Sequence, residues 1–495
     1  LDRSTVFPQL QLDPASNQPL YRQLFEQIRA AIEDGRLLAG ERLPPTRHLA
    51  EELRLNRSTV IAAYDLLEAA GLISRHVGRG SYVAAGAAGM LDWSALLRRF
   101  EMPQAPAAGL GPADDAISFA TSRPSRELFP MEDFRRTVEE VVGSPEAADL
   151  LQLGSPGGLS SLRHYLLERA RQEGLARPGD DVIITSGCQQ ALDLLGRVLI
   201  ASGDTVAVED PVYPGIRYCL ERAGARLVGV PVEADGIDPE RFERLLREER
   251  PKAAILTPNF QNPTGATLPL ASRTAVLGAA RAARVVVIEN DIYGELRYHG
   301  SPLPTLKQLD ETGSVVELRS FSKVAFPGLR VGWVIAPRAV VSRMIEAKQW
   351  SDLHTDQLSQ AILLRFAASG RLDRHLRRVR RAGAERLAAA LESCREYLPP
   401  GARFTRPQGG MSLWVELPPP LDASELLSRC QRERVSYLPG RYFAVSRPHT
   451  GCLRLSFAGL SPEKIRRGIA MLGKLFEEEL ERLRQTAYEP APALV

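Results

Sequence analysis

Cysteine is scarce in this chain, and its placement excludes as much as its number. Five residues, Cys188, Cys219, Cys394, Cys430 and Cys452, are scattered through 495 positions with no CxxC pair, which argues against both a disulfide framework and a structural zinc site. A surplus of charge is also missing. The 63 Lys and Arg against 60 Asp and Glu leave a formal net charge of +3, so any contact with nucleic acid has to rest on where individual arginines stand. No apolar run approaches the roughly 20 residues that a bilayer crossing requires. The first residues, LDRSTVFPQLQLDP, lack the charged and apolar segments of an export signal. A reducing, cytoplasmic location and no membrane partner are therefore expected.

What is present suits a globular protein: 44% of residues are hydrophobic and 25% charged. The length calls for more than one core. From Pro19 to Gly35, Leu20, Leu24, Ile28, Ala31 and Ile32 recur at helical spacing between a Pro and a Gly. Thr46 is placed to cap a short helix through Leu49 and Leu53, and Asn56 a longer one through Val60, Tyr64 and Leu67 that ends at Gly71. The pair predicts a helix-turn-helix. Leu72 to Val83 alternates around Gly78-Arg79-Gly80, which predicts a hairpin with a basic tip. Ala, Gly and Pro then dominate to about Asp115, apart from an apolar island at Leu91 to Phe100 with Trp93, Leu96 and Leu97, expected to be a linker with a small docking helix. After Ile117, helical stretches alternate with β-branched runs beginning near Asp181, Thr205, Ala253, Arg284, Ser314 and Val331. That alternation predicts an α/β fold with a mostly parallel sheet. A long helix from Arg371 to Leu398 and strands near Met411 to Val415 and Cys452 to Phe457 suggest a smaller α+β lobe. No internal repeat is present.

The string PLYRQLFEQIRAAIEDGRLLAGERLPPTRHLAEELRLNRSTVIAAYDLLEAAGLISRHVGRGSYV resembles the GntR family of winged-helix regulators over nearly all of residues 16–83. The resemblance implies a double-stranded DNA partner and a recognition helix from Asn56 to Ala69. Arg57, Ser58 and Thr59 would face the major groove, Arg47 would stand nearby, and Arg79 and Gly80 of the wing would reach the minor groove. Residues 1–83 hold ten Arg against ten Asp and Glu. Affinity must therefore come from concentrating Arg47, Arg57, Arg75 and Arg79 on one face and from dimeric binding. A helical trio with a hairpin can also serve as a protein-docking module, the plainer reading of the same pattern.

A coenzyme with a phosphate, a pyridine ring and an aldehyde needs an amine, a partner for the ring nitrogen, a donor to the phenolic oxygen and an anion cradle. Ser320-Phe321-Ser322-Lys323, followed by Arg330, offers an amine beside two hydroxyls and a guanidinium. Gly187, Cys188 and Gln189 stand at a strand-to-helix junction, where free N–H groups suit a phosphate. Asn262 and Tyr293 are candidates for the phenolic oxygen, and Tyr213 for stacking on the ring. Singly, each has a plain reading: a solvated lysine, an ordinary turn, a core tyrosine. Together, the strings TSGCQQALDLL, EDPVYPG, TPNFQNPTG, IENDIYGELRY, SFSKVAFPGLRVGW and CLRLSF resemble fold-type I aminotransferases over about residues 117–480.

That resemblance implies pyridoxal 5'-phosphate as cofactor, Lys323 as the catalytic lysine that forms the internal aldimine, and Arg454 as the partner of a substrate α-carboxylate. Two departures stand out. The family's Asp-x-x-Tyr spacing puts Asn290 at the pyridine position, with Asp291 one residue later, and either could face the ring. Leu153 stands where relatives carry a Tyr that reaches the neighbouring subunit's phosphate. The head and body together resemble MocR-type regulators. The resemblance implies a winged-helix domain over 1–83, a linker over 84–115, and an aminotransferase-like domain over 116–485, with a large lobe at about 117–365 and a small lobe at about 366–485. It further implies a head-to-tail homodimer that senses an amino-acid-like effector or pyridoxal phosphate itself. A working amino-acid aminotransferase is the alternative.

Overall fold

The computed structural model describes residues 10–13, 16, 18–76, 80–84 and 116–488. Nearly all of the expected linker, with its docking helix around Trp93, lies outside the described residues, and so does Arg79 at the wing tip. The chain divides into two compact units, residues 1–103 and 104–495.

In the first unit, helices α1 (Leu20–Glu33), α2 (Thr46–Glu52) and α3 (Arg57–Ala69) precede an antiparallel hairpin of β1 (Ile73–His76) and β2 (Gly80–Val83). The apolar stripe of α1 is buried through Leu24, Ile28, Ala31 and Ile32 against Val60, Ala63, Tyr64 and Leu67 of α3, closing one small core. Asn56 caps α3 as its position predicts, its side chain accepting from the Ser58 N–H. Thr46 does not cap α2. Pro45 is the N-cap and Thr46 the first helical residue, so the cap carries no side-chain hydrogen bond.

The second unit is built on an eight-stranded sheet. In spatial order its strands are β4 (Asp180–Thr185), β11 (Gly332–Pro337), β10 (Val315–Ser320), β9 (Val286–Asn290), β8 (Ala253–Leu256), β5 (Thr205–Asp210), β6 (Arg226–Glu233) and β7 (Gly236–Ile237). The strands from β10 to β6 run parallel, while β11 is antiparallel to both its neighbours. Both faces are covered, which is why these strands read as unbroken apolar runs. Ile183, Val206, Val208 and Ile288 pack under the helices Cys188–Leu199 and Arg338–Gln349. The intervening Ala207 and Val287 face Phe242, Leu246 and Val276 on the other side.

A smaller antiparallel sheet of β12 (Arg403–Phe404), β13 (Ser412–Glu416), β16 (Cys452–Ser456) and β15 (Leu438–Pro439) forms the second lobe with the helices Arg371–Tyr397 and Pro462–Tyr488. One expectation needs correction. Residues just after 116 do not open the large lobe: β3 (Ile117–Ser118) pairs in parallel with β14 (Val435–Ser436), and Ile117 and Phe119 are buried in the small-lobe core.

Candidate functional site

The carboxyl ends of β4, β5, β8, β9 and β10 meet at one edge of the large sheet, the place where open α/β sheets hold ligands. A cavity of about 450 Å3 opens there, lined by Cys188, Gln189, Tyr213, Asn262, Asn290, Tyr293, Ser320, Ser322, Lys323, Arg330 and Arg454. Eleven of the positions that sequence singled out are thus brought together.

Lys323 follows β10 and sends its Nζ to the Ser122 carbonyl at 2.6 Å. Burial, helped by the positive charge of Arg454, pulls its pKa down to about 8. At one end of the cavity, Gly187 has φ +86, and a Cβ there would lie 2.5 Å from Arg330 Nη2, so only glycine lets the guanidinium approach the start of the helix Cys188–Leu199. Arg330 also donates to Ser322 Oγ at 3.4 Å and to the Ser186 carbonyl at 3.2 Å. Ser320 Oγ is engaged by its own turn, donating to the Val331 carbonyl and accepting from the Ser322 N–H. Burial pushes the Cys188 thiol up to about 12, so it stands in the wall as a neutral thiol.

At the far end, Arg454 Nη1 donates to Asn262 Oδ1 at 3.0 Å and its Nη2 to the Ala120 carbonyl. Its Nε is buried with no hydrogen-bond partner among the described residues. Asn262 Nδ2 donates to the Tyr293 hydroxyl at 3.3 Å, whose pKa burial raises to about 12. Tyr213 lies beside Gln189.

The structure places Asn290 and Asp291 in different surroundings. Asn290 lines the cavity and donates to Thr257 Oγ1 at 3.4 Å, leaving its buried Oδ1 without a partner among the described residues. Asp291 lines a different cavity, where its carboxylate accepts from Asn259 Nδ2 at 2.8 Å and meets Arg319 Nη2 at 3.4 Å. Sequence reasoning missed the segment Ala120 to Arg123, which forms one wall of the site, and Leu438. The string FATSRPSRELFP that holds this segment matches none of the motifs that mark the rest of the site, and its neighbours lie some two to three hundred residues on.

In the head, Arg57 and Ser58 are exposed at the start of α3, with Thr59 half-buried. Arg47 is also exposed and spans to Glu51 at 3.4 Å. Arg75 does not join them: it binds Asp65 at 2.7 Å, lies over the Tyr64 ring, and has Nε and Nη2 buried. It is a packing residue and leaves the expected basic face. A residue the sequence reading passed over, Arg42, lies against Gly80 (φ +108) at the base of the wing, where a Cβ would come 3.0 Å from its Nε.

Comparison with known proteins agrees with this layout. Residues 117–472 match the family "Aminotransferase class I and II", and residues 20–83 match "Bacterial regulatory proteins, gntR family". The chain is 32% identical to the probable rhizopine catabolism regulatory protein MocR of Rhizobium meliloti, an alignment covering 94% of this chain and 96% of that one. The chain belongs to the MocR-type family of gntR regulators. This MocR-type chain is also 37% identical to the 2-aminoadipate transaminase of Thermus thermophilus, over 72% of its own length and 89% of that protein's. The crystal structure of LysN, the α-aminoadipate aminotransferase of Thermus thermophilus, complexed with N-(5'-phosphopyridoxyl)-L-leucine, superposes with a TM-score of 0.70 at 36% identity, covering 74% of this chain and 93% of that one.

A DNA-binding regulator with an aminotransferase-like domain follows, and pyridoxal phosphate is the cofactor that such a domain implies. The residues present fit it: an amine with a lowered pKa, an anion cradle, and unpartnered buried polar atoms on Asn290 and Arg454. Among the described residues no group of His, Cys, Asp or Glu could hold a metal ion. No helix there is long and apolar enough to cross a membrane.

Proposed function

We propose that this protein is a pyridoxal-phosphate-dependent transcription regulator whose body senses an amino compound and turns it over slowly. The observation that carries this reading is Asn290. When bound, the coenzyme supplies an aldehyde carbon and an electron sink, and the sink is strongest when a carboxylate keeps the ring nitrogen protonated. A neutral amide at 290 would hold such a ring without keeping that proton. The carboxylate next door is committed to Asn259 and Arg319.

In this reading Lys323 is the amine that would meet the coenzyme's aldehyde, and its lowered pKa keeps it reactive near neutrality. Gly187, Cys188, Gln189, Ser320, Ser322 and Arg330 hold the phosphate, with Ser320 acting through the turn it fixes. Asn262 and Tyr293 address the phenolic oxygen and Tyr213 covers the ring. Arg454 receives an α-carboxylate, and its unpartnered Nε supports an amino-acid effector over a sensor of the coenzyme alone. Arg57, Ser58 and Thr59 read the major groove, with Arg47, Arg79 and Gly80 beside them. Two copies in head-to-tail arrangement would present two heads to repeated half-sites. The effector regulates only by binding one arrangement of the heads more tightly than another.

The set of Lys323, Asn262, Tyr293, Arg330 and Arg454 also supports a second reading, a working aminotransferase. One experiment separates them. The purified protein is loaded with pyridoxal phosphate, exposed to a panel of amino acids, and assayed in parallel for keto-acid release and for binding to its own promoter DNA. A changed DNA affinity with little keto acid is the expected result. Rapid keto-acid formation with unchanged DNA binding would overturn the sensor reading.

A further inference from the structure

The cavity at the sheet edge is charged in one sense only. Its lining includes four cations, Lys323, Arg330, Arg454 and Arg123, and among the described residues no Asp or Glu. Three of the four already have hydrogen-bond partners. Lys323 donates to the Ser122 carbonyl, Arg330 is bound into the phosphate cradle, and Arg454 is held between Asn262 and the Ala120 carbonyl. Arg123 is different: its side chain is exposed and makes no hydrogen bond or ion pair with the described residues.

Its backbone is nonetheless fixed. Four residues earlier, Phe119 donates to the Ser436 carbonyl at 2.7 Å and accepts from the Ser456 N–H at 3.0 Å. The next carbonyls, those of Ala120 and Ser122, receive Arg454 and Lys323. At position 123 itself the carbonyl packs against Gly459, where a Cβ would lie 3.1 Å away. A short rigid wall therefore runs past both Arg454 and Lys323 and ends at Arg123, the residue after Ser122, whose guanidinium has no partner among the described residues. Such a group can meet the side chain of an amino acid held between Lys323 and Arg454.

We propose that Arg123 selects effectors carrying a second acidic group, so that the ligand class is an amino acid with a side-chain carboxylate or an equivalent anion. The proposal rests on the amino-acid-sensing reading above and names what that site prefers. It also balances the charges, since the phosphate answers Arg330, the α-carboxylate answers Arg454, and a second anion answers Arg123.

The test uses the full-length protein loaded with pyridoxal phosphate. L-2-aminoadipate, L-glutamate and the neutral L-norleucine are titrated while the coenzyme absorbance is followed, for the wild type and for Arg123→Gln and Arg123→Lys. The acidic ligands are expected to bind about tenfold more tightly than norleucine to the wild type. Arg123→Gln loses that preference with norleucine binding unchanged, and Arg123→Lys recovers part of it. A preference that survives in Arg123→Gln, or a wild type that binds all three alike, overturns the selection by Arg123 and leaves amino-acid sensing intact. If no amino acid perturbs the wild-type spectrum, amino-acid sensing fails and the proposal falls with it. Because Arg123 is exposed and has no partner among the described residues, matching melting temperatures are expected for the three proteins and separate ligand loss from misfolding.

Discussion

Asn290 and Asp291 are consecutive, yet their side chains meet different surroundings, because successive residues at a strand end point to opposite sides. One lines the cavity at the sheet edge and the other an ion-paired pocket with Arg319. The first expected outcome follows: Asn290→Asp raises keto-acid release from an amino donor by about tenfold or more, as a carboxylate restores the protonated ring. Steady-state turnover on the loaded protein checks it, and an unchanged rate would move the cause of slow turnover elsewhere. A second outcome concerns pH. Burial and Arg454 lower the Lys323 pKa to about 8, and only the neutral amine attacks an aldehyde. Cofactor loading of the free protein should therefore accelerate about tenfold per pH unit below 8 and level off above it. Stopped-flow absorbance from pH 6.5 to 9.5 reads this profile. A third outcome is that Gly187→Ala weakens cofactor retention. The added Cβ displaces Arg330 from the cradle, and the φ of +86 strains any other side chain; equilibrium dialysis measures the loss.

The arginines of the winged-helix head divide by the elements that carry them. Arg57 opens α3 and is exposed, whereas Arg75 on β1 is bound to Asp65 and Glu68. Arg57→Ala is expected to weaken promoter binding about tenfold with an unchanged melting temperature, and Arg75→Ala to lower the melting temperature of the head. Fluorescence anisotropy with labelled DNA, paired with thermal unfolding, distinguishes the two. Such divisions show what a sequence can and cannot carry. The strands β4, β5, β8, β9, β10 and β11 were legible because burial on both faces writes continuous β-branched runs. Strand β6 was not, since Gly229 and Pro231 interrupt a half-exposed pattern. Most of the cavity was legible from motifs at strand ends, where chemistry concentrates in short strings. Arg75 misled because its charge is visible in sequence and its partners are not. The wall from Ala120 to Arg123 was hidden because it is placed by pairing with residues 434–436 and 456, and no local pattern encodes a contact of that range.

At the scale of the whole molecule, the surface near the cavity is unusually apolar for something left in water. Leu151 and Leu153 are 78% and 79% exposed, Trp350 87% and Leu353 55%. These residues belong to two stretches that are tied together, since Gln357 Nε2 donates to the Gln152 carbonyl at 2.8 Å. Asp352, between Trp350 and Leu353, accepts from Ser186 Oγ and Gln190 Nε2, next to Gly187 and Gln189. Large exposed aromatic and aliphatic side chains gathered in this way mark an interface, and the proposed homodimer supplies its occupant. Trp350→Glu would place a charge in that interface and is expected to convert the protein to a monomer by sedimentation velocity. The consequence for DNA is specific. A dimer gains from engaging two half-sites at once, an advantage on the order of a hundredfold or more. The variant should therefore lose about that factor on a two-half-site operator and bind a single half-site as well as the wild type does. If Trp350→Glu stays dimeric, the interface lies elsewhere. If it is monomeric and binds the full operator undiminished, the two heads do not act together, and regulation through their spacing is excluded.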